Sequence, residues 1–238
     1  MRLHRFYTSQ SVGSRTELTV KSRELVDQIR KVFRLKKGSE VILFDGSGSD
    51  YSCSIADFVG ADSIVFNIQT SSRSAYMPTR KVYLYAAIIK KDNFETITEK
   101  ATELGVTDII PVIAERTEKK ALNEPRLKKI AIEASEQSGR GDVPMIHPIV
   151  ALRNAVESSR DASKILPIVF HTDGEIFDRD EVDTNQNVAV FIGPEGGWTP
   201  DEIDLFHRNE IAIRCLGRQV LRAETAVISA LSQVVFRV

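Results

Sequence analysis

"VAVFIGPEGGWTPDE" runs from Val188 to Glu202. An apolar run ends abruptly at Ile192, and three glycines, a proline and one carboxylate follow within five residues. Behind them, Thr199 can cap a helix, Pro200 suits its first position and Glu202 can close a capping box. The stretch predicts strand, glycine turn and helix in immediate succession.

The same rhythm spreads outward. "KVYLYAAII" (Lys81–Ile89) is almost continuously apolar, as a strand covered on both faces must be. A helix follows, capped by Asp92 with Glu95 three residues on. It carries Phe94, Ile97, Ala101 and Leu104 on one side and stops at Gly105. "DIIPVIA" (Asp108–Ala114) reads as the next strand. Pro125 opens a helix with Leu127, Ile130 and Ala134 on its buried face, ended by Gly139. Ala151–Val156 suggests another helix. "ILPIVF" (Ile165–Phe170) and "IAIRCLG" (Ile211–Gly217) suggest further strands, and the stripe from Ala226 to Val235 a last helix. Alternation of this kind predicts an α/β domain with a mostly parallel sheet.

Upstream the pattern changes. "EVILFD" (Glu40–Asp45), "YSCSIADF" (Tyr51–Phe58) and "SIVFNIQ" (Ser63–Gln69) are short β-type runs separated by glycine-bearing turns. One helix, capped by Ser22 and carrying Leu25, Ile29 and Val32, interrupts them. A small β-barrel or sandwich fits. "TSSRSAYMPT" (Thr70–Thr79) reads as a linker, which divides the chain into domains at 1–72 and 73–238.

A chain of 238 residues with 42% hydrophobic composition can build both cores. No apolar run nears the ~20 residues a membrane-crossing helix needs. The opening "MRLHRFYTSQ" shows no secretory pattern. Cys53 and Cys215 stand far apart, so neither a zinc site nor a disulfide framework is indicated, and a cytoplasmic location is expected. Net charge is −1, yet Arg2–Lys37 holds ten Lys/Arg against Glu17, Glu24 and Asp27, a local excess of seven. Such a segment is either a phosphate-facing surface or a solvated one.

Ligands of open parallel sheets bind beyond the carboxyl ends of strands, where this turn sits. Glycines let a backbone approach a ligand closely. The known phosphate cradles do not fit: no Gly-Lys-Ser/Thr follows, G-x-G-x-x-G is missing, and Glu195 would repel a pyrophosphate. A cationic ligand, or one rich in hydroxyls and amines, suits the turn better; a plain strand-to-helix connection is the alternative. The next strand also ends in a polar loop, "GRQVLRAETA" (Gly217–Ala226), with Glu224 and Thr225 in a first helical turn where an acid is favoured. Phe170–Gly174, with His171, can form a third wall.

"GPEGGWTPDE" followed by "LGRQVLRAETA" resembles the bacterial 16S ribosomal RNA (uracil-N3) methyltransferases of the SPOUT class. "EKATELGVTDIIP" (Glu99–Pro111), "IAIEASEQSGRGDVP" (Ile130–Pro144), "HRF" (His4–Phe6) and "DGSG" (Asp45–Gly48) agree in order, so the resemblance spans essentially the whole chain. Phe33 stands where leucine is usual. The resemblance implies an N-terminal PUA-like β-barrel that binds RNA, an α/β domain with a C-terminal trefoil knot, S-adenosyl-L-methionine held by the knot loops, a homodimer, and no metal.

Position by position it implies a cofactor site at His171, Ile192, Gly193, Pro194, Glu195, Gly196, Gly197, Leu216, Gly217, Val220, Leu221, Arg222, Thr225 and Ala226. Methylating N3 of a uridine removes a proton, and an arginine can stabilise the anion that develops. Arg140 is the first candidate and Arg222 the second, with Glu195 or Glu224 as the proton acceptor. Arg5, Arg23, Arg34 and Arg116 would contact 16S ribosomal RNA in the small subunit. Two rival readings are a non-catalytic RNA-binding assembly factor and an α/β enzyme acting on a small metabolite.

Overall fold

A computed structural model describes residues 3–160, 165–183 and 186–235, apart from the side chains of Lys91, Asp92 and Arg160. The chain divides into two compact units. Residues up to Met77, together with Ser135–Val143, form the first; Pro78–Ala134 and the chain from Pro144 form the second.

The first unit is a five-stranded sheet. Its strands are β1 (Arg5–Tyr7), β2 (Glu17–Lys21), β3 (Glu40–Phe44), β4 (Ser49–Val59) and β5 (Ser63–Arg73), in the order β1-β3-β4-β5-β2. Only the β1–β3 pair is parallel. Among the described residues β1 and β2 do not pair with each other, so the hydrogen-bonded path is open where a barrel was expected. Alternation buries Val41, Leu43, Ile55, Ile64 and Phe66 on one face. Helix α1 (Arg23–Asp27) adds Leu25 and Val26, and the Ser22 hydroxyl accepts the Leu25 N–H as the sequence predicts. A wider π-helical turn, Gln28–Val32, continues it and buries Ile29, while Val32 is left exposed. The predicted linker begins late, because β5 runs on to Arg73.

The segment 135–143 joins this unit through polar contacts. Glu136 accepts the Tyr7 N–H at 2.8 Å and the Gln28 amide at 3.1 Å. The Gly48 N–H donates to the Gly141 carbonyl at 3.2 Å.

The second unit is a parallel sheet. It contains β6 (Val82–Ala87), β7 (Asp108–Ile113), β8 (Met145–Ile146), β9 (Val150–Ala151), β10 (Ile165–Ile176), β11 (Asn187–Ile192) and β12 (Ala212–Cys215). The order is β12-β10-β11-β6-β7-β8, with β9 also on β7. Helices α2 (Lys91–Glu103), α3 (Glu124–Ser138), α4 (Leu152–Arg160) and α5 (Pro200–Arg208) connect strands, and α6 (Ala223–Val235) follows the last one. Two apolar layers bury the sheet. Ile97, Leu127, Val227 and Leu231 belong to one, and Val156, Phe191, Trp198 and Phe206 to the other. Helix α2 begins at Lys91, and the predicted Asp92 cap lies outside the described residues. The short strands β1, β2, β8 and β9 have no sequence-level counterpart.

Candidate functional site

The loops leaving β11 and β12, together with residues 170–175 of the adjoining strand β10, enclose an open cleft of about 1050 Å³. That is the size of a generous small-molecule site. The turn after β11 forms its floor. The Gly197 N–H closes it onto the Pro194 carbonyl at 2.8 Å, and Gly197 has φ +69, a left-handed conformation that disfavours side chains. Thr199 and Glu202 form the predicted capping box, which fixes where α5 starts.

Of the residues expected to hold a cofactor, His171, Ile192, Gly193, Pro194, Glu195, Gly196, Gly197, Leu216, Gly217, Val220, Leu221 and Ala226 all line this cleft. Arg222 and Thr225 do not belong to its described lining. Arg222 immediately precedes α6 and Thr225 lies in its first turn, while Ala223 and Ala226 line the cleft. Val220 is 84% exposed at the rim. Glu195 is exposed, and its Oε1 accepts the Lys90 N–H at a long 3.5 Å. Glu224 has a buried carboxylate oxygen with no partner among the described residues.

Arg140 stands elsewhere. It belongs to the first unit, is 3% exposed, and gives Nε and Nη2 to Asp142 at 2.8 and 2.7 Å. Arg5 is similarly engaged: its guanidinium makes a two-pronged pair with Asp50 at 2.7 and 2.8 Å and also reaches the Arg140 carbonyl. Arg23 and Arg34 are exposed on the first unit. Arg116, expected to contact RNA, lines the cleft, with Nη1 2.5 Å from the Gly196 carbonyl.

Trp198, Pro200, Ile203 and His207 also line the cleft and were not foreseen. The spacing 200, 203, 207 puts three of them on one helical face, a signal available in the sequence. Trp198 is 3% exposed, packs edge-on against Phe206, and its indole N–H has no partner among the described residues. No cluster of metal-binding side chains occurs among the described residues, and no described helix is long and apolar enough to cross a membrane.

Residues 76–235 match the model of a family described as an RNA methyltransferase domain, and residues 29–69 match an RNA methyltransferase PUA domain. The chain belongs to the RNA methyltransferase family. The methyltransferase match spans the parallel-sheet unit that carries the cleft and also takes in 135–143 of the first unit, whose five-stranded sheet is PUA-like. A relative in Rickettsia conorii, named ribosomal RNA small subunit methyltransferase E, is 29% identical over 98% of this chain and 96% of its own. A methyltransferase structure from Legionella pneumophila with bound S-adenosylmethionine is 30% identical, with TM-score 0.87, and covers 98% of this chain and 97% of its own. The methyltransferase E of Neisseria gonorrhoeae, also solved with S-adenosylmethionine, is 26% identical with TM-score 0.85, over 97% and 96% of the two chains.

Proposed function

We propose that this chain methylates N3 of a uridine in 16S ribosomal RNA, using S-adenosyl-L-methionine, in the cytoplasm and as a homodimer. The observation that carries the reading is the convergence of residues 192–197 with Leu216, Gly217, Val220, Leu221, Ala223 and Ala226 on one cleft, in a chain of the RNA methyltransferase family.

The cleft suits the cofactor. Its floor is glycine backbone, Ile192, Leu216 and Leu221 offer apolar surface for a base, and Glu195 places a negative charge beside the turn. When bound, S-adenosylmethionine supplies an electrophilic methyl group on a cationic sulfur. The chain must then position a uridine, accept its N3 proton and stabilise the developing anion. Arg140, Arg222 and Glu195 remain the proposed catalytic residues. The engagement of Arg140 with Asp142 shifts weight to Arg222, which is exposed at the start of α6. A base must be unstacked to reach such a cleft. Exposed Arg23 and Arg34, and Arg116 at the cleft, are the proposed RNA contacts.

The trefoil knot, like the dimer, is proposed on the family resemblance. Arg214 of β12 pairs with both Phe170 and Glu175, so residues 171–174 bulge out of the β10–β12 ladder.

A thermal shift tests the reading. S-adenosylmethionine at ~100 times its dissociation constant should add about 2.7 kcal/mol. Labelled methyl groups should then appear as N3-methyluridine in small subunits from a strain lacking the enzyme. No shift at millimolar cofactor, or label only on carbon or sugar oxygen, would count against it.

A further inference from the structure

The loop after β7, Ala114–Thr117, grips the glycine turn at two points. It is itself tied shut: the Ala114 N–H donates to the Thr117 hydroxyl at 3.0 Å, and the Thr117 N–H donates back to the Ala114 carbonyl at 3.1 Å. From it, Arg116 Nη1 donates to the Gly196 carbonyl. The turn packs closely on the arginine stem there: a methyl group on Gly196 would sit 3.1 Å from Arg116 Cδ, so the stem would have to give by a few tenths of an ångström.

The second grip is on Thr199. Its hydroxyl has one proton, which goes to Glu115 Oε2 at 2.9 Å. That leaves an oxygen lone pair facing the Glu202 N–H, at a long 3.4 Å, which is the cap of α5. Glu202 closes the circuit, because its carboxylate accepts the Glu115 N–H and the Thr199 N–H, each at 2.8 Å. Glu202 is buried, whereas Glu115 and Arg116 are exposed. Two exposed side chains therefore set the geometry of a turn that forms the cleft floor. Hydrogen bonds to charged groups in such a circuit are stronger than neutral ones.

We propose that Glu115 and Arg116 are positioning residues that clamp the 193–199 turn in its cofactor-receiving shape. The inference rests on the proposed cofactor role of the cleft, and it adds to the site a loop from β7, two strands along the sheet from β11. A clamp of this kind lowers the cost of ordering the turn when the cofactor binds.

The test uses the full chain without RNA, so that any RNA contact of Arg116 stays out of the measurement. The probes are S-adenosylmethionine titration and amide hydrogen exchange at Gly196, Gly197 and Trp198. E115A and E115A/R116A should fold normally, speed exchange at those amides by ~10-fold, and weaken S-adenosylmethionine binding by ~10-fold. T199V should do the same, and T199S, which keeps the hydroxyl, should restore both values. In methyl transfer, E115A should raise KM for the cofactor and leave kcat at saturation within ~2-fold. Wild-type exchange at the three amides in E115A/R116A would overturn the clamp. If the wild-type protein binds no S-adenosylmethionine, the cofactor reading fails by itself, and the exchange arm still decides the clamp.

Discussion

Gly174 lies against the backbone of Arg214: a methyl group on it would sit 2.6 Å from the Arg214 carbonyl carbon and 2.8 Å from its nitrogen. The contact falls at the 171–174 bulge, between the two pairings of Arg214. The arginine adds a side-chain tie, giving Nε to both oxygens of Glu181 at 2.9 and 2.7 Å. Backbone cannot rotate aside as a flexible side chain can. Gly174→Ala should therefore destabilise at the upper end of overpacking costs, about 3 kcal/mol. Denaturant unfolding measures it, and a loss below ~0.5 kcal/mol would show that the contact is loose.

A second glycine approach concerns the cleft itself. A methyl group on Gly193 would meet the Trp198 ring at 3.1–3.3 Å. Trp198 is the one tryptophan of the chain, so its emission reports this spot alone. Gly193→Ala should shift that emission and cost about 1–3 kcal/mol. It should also weaken S-adenosylmethionine binding, since the ring and the turn move together. Unchanged emission would mean the ring yields without cost.

Much of this was legible beforehand. Apolar runs such as Val82–Ala87 and Val188–Ile192 are strands because both sheet faces are covered, and the Thr199–Glu202 box starts α5 where its chemistry says. The strand-end rule led to both main walls of the cleft. Short strands escaped: β8 and β9 have two residues each, too few for any period to show. The grouping of 135–143 with the first unit escaped too, because Glu136, Gly141 and their partners are more than ninety residues apart in sequence. The pairings of Arg5 and Arg140 are hidden for a different reason, since a guanidinium looks alike in sequence whether it meets phosphate or a carboxylate such as Asp50 or Asp142.

Arg140 separates structure from chemistry. Removing one partner of a buried pair leaves an uncompensated charge, at about 3–5 kcal/mol. Arg140→Ala and Asp142→Asn should therefore lower stability by similar amounts and leave S-adenosylmethionine affinity intact. If Arg222 carries the chemistry, Arg222→Ala should cut turnover by at least ~100-fold with stability near wild type. A stable Arg140→Ala protein that binds cofactor but turns over ~100-fold more slowly would return the catalytic assignment to Arg140.

Burial also sets the behaviour of Cys53. Its thiol is 1% exposed, and desolvation pushes its pKa up to about 11 from 9.0. A raised native pKa means that the folded state holds its proton more tightly. The stability this contributes is present below pH 9 and fades as pH rises through 11. Native Cys53 should resist iodoacetamide at pH 8 and react once the chain is unfolded; prompt native labelling would contradict the packing.

The RNA surface can be divided by salt. An exposed arginine that neutralises a phosphate releases counterions, and its removal should reduce the slope of log affinity against log salt by about 0.7–0.9. Arg34→Ala and Arg23→Ala should each do this with stability nearly unchanged, because both side chains face solvent on the PUA-like unit. Arg5→Ala should behave in the opposite way. Its side chain is 5% exposed and paired with Asp50, so the variant should lose stability as a broken buried pair does, with the salt slope of the folded protein preserved. Filter binding of a 16S fragment across 50–200 mM salt measures the slopes. If Arg5→Ala flattens the slope while Arg34→Ala does not, the phosphate-facing side of the first unit is the wrong one.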